Sequence, residues 1–89
     1  MKIALSYVRS WCGDVAGHPI SDATFSRWCA SFAISGRSST EIDLNVAAAL
    51  LTCAGLYRFE ARSYTGRAYR ELYPSMLTKV KEICNVRDC

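Results

Sequence analysis

The chain of 89 residues lacks most of the residue patterns that mark enzymes and metal sites. It has one histidine, and its cysteines form no CxxC pair, so no ordinary Cys/His zinc motif can be assembled. The segment from Gly13 to Gly17 lacks the Lys-Ser/Thr that follows in a phosphate-binding loop. The carboxylates are spread singly, and Ser21, Ser26 and Ser31 have no predicted base within reach. We therefore expect no catalytic residue, no metal and no cofactor.

Long hydrophobic runs are also missing. The longest, Val46 to Leu51, is far shorter than the roughly 20 residues that cross a bilayer. The N-terminus shows no leader-length apolar region with a cleavage site, so we expect a cytoplasmic protein without membrane contact. An apolar share of 51% with 21% charged residues excludes a disordered or collagen-like chain. The length allows one small domain, residues 1–89.

Five cysteines stand at positions 12, 29, 53, 84 and 89. The first three fall on apolar, helix-like stripes, and the count is odd. Both features favour reduced thiols in a core, with one disulfide or a metal site as the weaker alternatives. A redox role for the terminal Cys89 stays open.

Helical periodicity begins near the N-terminus. Residues 2–16 carry apolar side chains with helical spacing, and the breaker Gly17-His18-Pro19-Ile20 follows. Ser21 or Asp22 is the expected N-cap of a second helix, 21–32. Its buried stripe is Phe25, Trp28, Cys29 and Phe32.

The rest of the chain also favours helices. Ser39 or Thr40 is expected to cap a central third helix that ends near Gly55. Residues 56–64 fit a continuing helix better than a strand, although their alternation leaves a strand open. A short helix over 67–73 and a C-terminal helix over 74–85, starting at Pro74, complete the prediction. The predicted fold is all-α, a single small domain of four or five helices.

The first two predicted helices and their connection, about residues 3–33, have the layout of a helix-turn-helix. A recognition helix needs one side anchored in the core and another that is small or hydrogen-bonding, so that it fits the major groove. The apolar stripe of helix 21–32 meets the first need. The second is met by an outer face on which the candidate DNA-contacting residues are Ser21, Thr24, Ser26 and Arg27. An ordinary amphipathic helix would show the same pattern, and this alternative stays open.

The string from Ile20 to Trp28, followed by Phe32-Ala-Ile34 and a loop arginine, resembles the second helix of MerR-like helix-turn-helix domains. The resemblance covers about residues 3–57. It implies a small transcriptional or replication regulator of bacterial, plasmid or phage type. Ser21, Thr24 and Arg27 would then face double-stranded DNA, with Arg37 and Ser38 in the place of a wing reduced to a few residues. No long C-terminal coiled-coil helix follows, so a homodimer is left open rather than implied.

Positive charge is concentrated in one segment. The chain has a net charge of +3, and residues 58–70 contain four arginines and a single acidic residue. These arginines alternate with aromatics through a basic and aromatic segment, 57–73. The segment suits phosphate binding and base stacking, a protein interface, or a solvated surface over the core. The candidate phosphate contacts in it are Arg58, Arg62, Arg67 and Arg70.

The sequence therefore indicates two candidate functions. The first is a DNA-binding protein that reads a site with helix 21–32 and holds the backbone through loop and 58–70 arginines. The alternative is a non-catalytic protein-binding module, such as a phage-type inhibitor, that uses the arginine and tyrosine surface.

Overall fold

The computed structural model describes residues 2–37, 39–58 and 66–87, with only the backbone given at 58 and at 85–87. Within these residues the chain forms four helices and two short strands, and it is mostly helical. The elements are β1 (Lys2–Ala4), α1 (Leu5–Ala16), α2 (Asp22–Ser31), β2 (Glu41–Asp43), α3 (Leu44–Arg58) and α4 (Arg67–Arg87).

The mostly helical character and the four helices agree with the prediction, and the two short strands are the departure from it. β1 pairs antiparallel with β2, and Ile3 lies opposite Ile42, both of them buried. The Leu5 N–H, at the start of α1, donates to the Thr40 carbonyl at 2.8 Å. Helices α1 and α3 therefore begin at Leu5 and Leu44, because the residues before them pair with each other instead of extending a helix.

The connection between α1 and α2 matches the predicted breaker and cap. Gly17 ends α1 in the left-handed region with φ of 80°, and its N–H donates to the Gly13 carbonyl. Ser21 is the N-cap of α2, since its side chain accepts from the Thr24 N–H. The five residues 17–21 make this turn longer than the usual 3–4 residues of a helix-turn-helix.

Helix α3 is the centre of the core and packs against both α1 and α4. Its middle is buried on several sides, as expected for a helix with apolar residues around most of its circumference. The predicted end near Gly55 is wrong, because α3 continues to Arg58. A Cβ at Gly55 would lie 2.7 Å from Leu72 of α4 and 3.7 Å from Val15 of α1. The missing side chain thus allows three helices to meet.

The C-terminal part of the chain forms one helix where two were predicted. α4 runs from Arg67 to Arg87 with Pro74 inside it, so the predicted break between a 67–73 helix and a 74–85 helix is wrong. Proline removes one backbone donor. The apolar stripe nevertheless continues past it, with half-buried Tyr73, Met76 and Leu77 packed against the core. This packing keeps the helix continuous.

Four cysteines are buried in the core of the described residues: Cys12, Cys29, Cys53 and Cys84. Burial raises the pKa of the Cys53 thiol to about 12, and burial together with the neighbouring Cys53 and Cys29 raises that of Cys12 further. The interpretation as core thiols is confirmed for these four. Cys89 and most of the ambiguous 56–64 segment, residues 59–64, lie outside the described residues.

Candidate nucleic-acid interface

Helix α2 is held to the protein by its aromatic side. Phe25, Trp28 and Cys29 are all buried, as the spacing predicts. The Trp28 ring meets the Phe25 ring edge-on at a centroid distance of 6.4 Å, and it meets Tyr57 of α3 in the same way at 5.8 Å. These edge-to-face contacts fix the orientation of α2 on the end of α3.

The opposite side of α2 is open to solvent. Its exposed residues are Asp22, Ala23, Ser26, Arg27, Ala30 and Ser31. This side is small and polar, with the acidic Asp22 at its start and a single long cation, and the turn at Gly36 lies beside its middle at Ser26. The outer face therefore has the shape and polarity that a groove-binding helix requires.

Two of the predicted contacts are partly occupied by local hydrogen bonds. The Ser21 hydroxyl accepts from the Thr24 N–H at 3.2 Å and donates to Thr24 Oγ1 at 2.9 Å. Their main role is thus to cap the helix. The side chains of Ser26 and Arg27, on the same helix, make no hydrogen bond within the described residues.

The chain after α2 returns along the same face. Ala33 adopts a positive φ of 56°, and the Ile34 N–H donates back to the Cys29 carbonyl. This turn directs the chain beside α2, where a Cβ on Gly36 would lie 3.7 Å from Ser26 Oγ. Arg37, which follows Gly36, is exposed. The fold therefore places the Arg37 backbone next to the middle of the α2 outer face.

This segment is not a winged structure in the described residues. β2 pairs with β1, near the N-terminus, and forms no hairpin with a neighbouring strand. The Arg37 N–H donates to Ser35 Oγ, and the Arg37 carbonyl accepts from the Thr40 N–H at 3.0 Å. A reduced wing is thus replaced by a compact turn. Ser38 lies outside the described residues.

The predicted arginines of 58–70 are only partly placed. Arg58 is the last residue of α3, its side chain is outside the described part, and so is all of Arg62. Arg67 and Arg70 are exposed in the first turns of α4, where Arg67 Nε donates to Glu71 at 2.8 Å. Such an exposed pair is weak and leaves Arg67 available to another anion.

An apolar groove separates the end of α2 from the start of α4. It has a volume of about 280 Å³ and is lined by Phe32, Asn45, Val46, Ala49, Tyr69 and Tyr73. The Tyr69 and Tyr73 rings stack at a centroid distance of 5.9 Å. Part of the aromatic character of the 57–73 segment is therefore used to line this groove.

Sequence reasoning missed Arg9. Its Nη2 donates to the Asp22 carboxylate and, at 3.4 Å, to the Ile20 carbonyl, while its guanidinium lies 5.6 Å from the centre of the Phe25 ring. These contacts connect α1 to the start of α2. They join residues more than ten positions apart, so no local spacing could indicate them.

The single histidine and the acidic residues form no second site. His18 is exposed, its Nδ1 lies 3.0 Å from the Pro19 carbonyl, and its ring lies 5.3 Å from that of Tyr57. In the described ranges no three His, Cys, Asp or Glu residues are grouped so as to hold a metal ion. Among the helices that are described, none has the length and apolar character needed to span a membrane.

Comparison with protein families, curated proteins and solved structures gave no match to this chain. The MerR-like resemblance of the 20–34 string therefore stays a prediction.

Proposed function

We propose that this chain is a small double-stranded-DNA-binding protein that regulates transcription or replication. The observation that carries the proposal is the combination of a buried aromatic anchor and an open polar face on one helix, α2. The anchor fixes the helix, and the open face is narrow enough for the major groove. The MerR-like string supports a regulator of bacterial, plasmid or phage type.

Arg27 is the proposed base-reading residue. It lies on the exposed face of α2, and a guanidinium can donate two parallel hydrogen bonds to the O6 and N7 acceptors of guanine. Ser26 is the neighbouring short polar contact. Arg37 is proposed to bind a backbone phosphate beside α2, because its turn packs against Ser26.

The test is fluorescence anisotropy with a labelled duplex of random sequence, titrated with salt. We expect binding at low salt that weakens as salt rises. Each phosphate contact adds about 0.9 to the slope of the log–log plot. Arg37→Ala should therefore reduce that slope by about 0.9 relative to the native protein. Arg27→Ala should weaken binding of a selected site more than binding of random duplex.

Lys81→Ala is the matched control. Lys81 is an exposed cation of α4, so its removal changes the net charge by the same amount as either arginine substitution. An equal loss of affinity in the Lys81 and Arg27 variants would contradict a specific role for α2. Complete absence of duplex binding at low salt would contradict the proposed function itself.

A protein-binding module is the second candidate, and the groove of about 280 Å³ between α2 and α4 favours it. Tyrosine and phenylalanine side chains are enriched at protein interfaces. Duplex DNA would not displace a protein partner from this groove. Substitution of Tyr69, rather than of Arg27, would weaken the complex with that partner.

A further inference from the structure

A small cleft lies between α1, α2 and the turn that carries Arg37. It has a volume of about 110 Å³ and is lined by Leu5, Ser6, Arg9, Phe25 and Gly36. This volume is several times the roughly 10–15 Å³ that one water needs by the same measure, so the cleft admits a phosphate group. The cleft borders Gly36, and Gly36 packs beside the outer face of α2.

One wall of the cleft supplies unused hydrogen-bond donors. The Arg9 guanidinium has five N–H donors, and its hydrogen bonds to Asp22 and Ile20 both come from Nη2. Its Nε and Nη1 groups bond to no residue in the described part of the chain. Ser6 is exposed three positions earlier on α1, so its hydroxyl lies on the same side of the helix.

The guanidinium is held in place before any ligand arrives. Its position over the Phe25 ring, 5.6 Å from the centroid, restricts its orientation. Phe25 is itself 2% exposed and belongs to the core. Arg9 is therefore presented on a rigid support, and this reduces the entropy lost when it binds an anion.

The carboxylate that Arg9 binds in the free protein, that of Asp22, is easily replaced by another anion. The Asp22 side chain is 84% exposed and that of Arg9 is 44% exposed, so their ion pair is a surface pair with a small net contribution. A phosphate can accept two parallel hydrogen bonds from one guanidinium, and such bidentate pairs are stronger than a single contact.

We propose that this cleft binds a backbone phosphate of the duplex. Arg9 and Ser6 donate to the phosphate, and Asp22 is a competing carboxylate that the phosphate displaces. The proposal rests on the proposed function and adds to it a phosphate contact from α1 and an internal competitor that lowers affinity in the free protein.

The experiment measures duplex affinity and its salt dependence for two pairs of variants. Asp22→Asn removes the competitor, and Asp14→Asn makes the same charge change on another side of α1. We expect about threefold tighter binding for Asp22→Asn, close to what one exposed ion pair contributes, and little change for Asp14→Asn.

Ser6→Asp places a negative charge at the edge of the cleft, and Ser75→Asp places one on exposed α4. Ser6→Asp should weaken binding by about fivefold and reduce the salt slope by about 0.9, because one phosphate contact is lost. Ser75→Asp should leave the slope unchanged. All four positions are solvent-exposed or near the surface, so the variants are expected to fold, and thermal unfolding checks this.

Equal effects within each pair would overturn the phosphate site while leaving duplex binding by α2 intact. If the native protein binds no duplex at low salt, the proposed function fails. A titration with inorganic phosphate, followed by NMR, then tests whether the cleft binds phosphate. A shift of the Arg9 Nε–H resonance on phosphate addition, larger in Asp22→Asn, supports a phosphate site for a free ligand. No shift overturns it.

Discussion

Replacement of Trp28 by alanine tests whether the aromatic anchor fixes α2. Trp28 is 4% exposed, so folding removes nearly all of a side-chain surface of roughly 250 Å² from water. At about 25 cal/mol per Å² this burial is worth about 6 kcal/mol as an upper bound. Residual compactness of the unfolded chain lowers the value to about 4 kcal/mol. The whole domain is expected to have only about 4–13 kcal/mol of stability.

We therefore expect Trp28→Ala to lose about 4 kcal/mol in urea unfolding followed by far-ultraviolet CD, and Trp28→Phe to lose less. Tyr7→Ala is the matched control, because Tyr7 is 54% exposed. It should lose less than about 1 kcal/mol, since surface substitutions have small effects. A loss below about 1 kcal/mol for Trp28→Ala, or equal losses at the two positions, would refute the role of Trp28 as the anchor.

Three further predictions concern stability, each measured by urea unfolding. Gly17 and Ala33 both have positive φ, so Gly17→Ala should cost about 1 kcal/mol and Ala33→Gly should gain about 0.5 kcal/mol; the same sign at both positions would contradict this reasoning. Pro74→Ala should stabilise α4 by about 1–3 kcal/mol, because it restores a backbone donor inside a continuous helix; a loss of stability would indicate that a break at Pro74 is preferred. The raised pKa of the Cys53 thiol means that it ionises in the unfolded chain above about pH 9 while it stays protonated in the folded one. The contribution of this thiol to the free energy of unfolding should therefore be fully present below pH 9. It should be lost between about pH 9 and 12, by up to about 1.4 kcal/mol per pH unit, and the free energy of unfolding of Cys53→Ala should fall less steeply over that range.

The sequence predicted those features that local spacing controls. The stripe of Phe25, Trp28 and Cys29 and the cap at Ser21 follow from residues within one or two helical turns. Gly17 is a comparable case, since a glycine after an apolar helix is a common C-cap.

Features that depend on residues far apart in the sequence could not be predicted from local spacing. Ile3 and Ile42 form strands only because they meet across almost forty residues, and each strand is too short for alternation to be visible. Pro74 stops a helix in isolation, but packing of α4 on the core offsets its cost. The Arg9 contact with Asp22 likewise exists only once α1 and α2 are assembled. At the candidate site the sequence thus indicated the outer face of α2 and missed the cleft beside it.

The most direct test of the central claim is an NMR map of backbone amides during titration with a short DNA duplex. We predict that the shifted amides cluster in 21–31 and at Gly36 and Arg37, while those around Lys79 and Lys81 on α4 do not move. Shifts confined to the groove residues near Tyr69 and Tyr73, or spread evenly over all cationic positions, would contradict a duplex-binding role for α2.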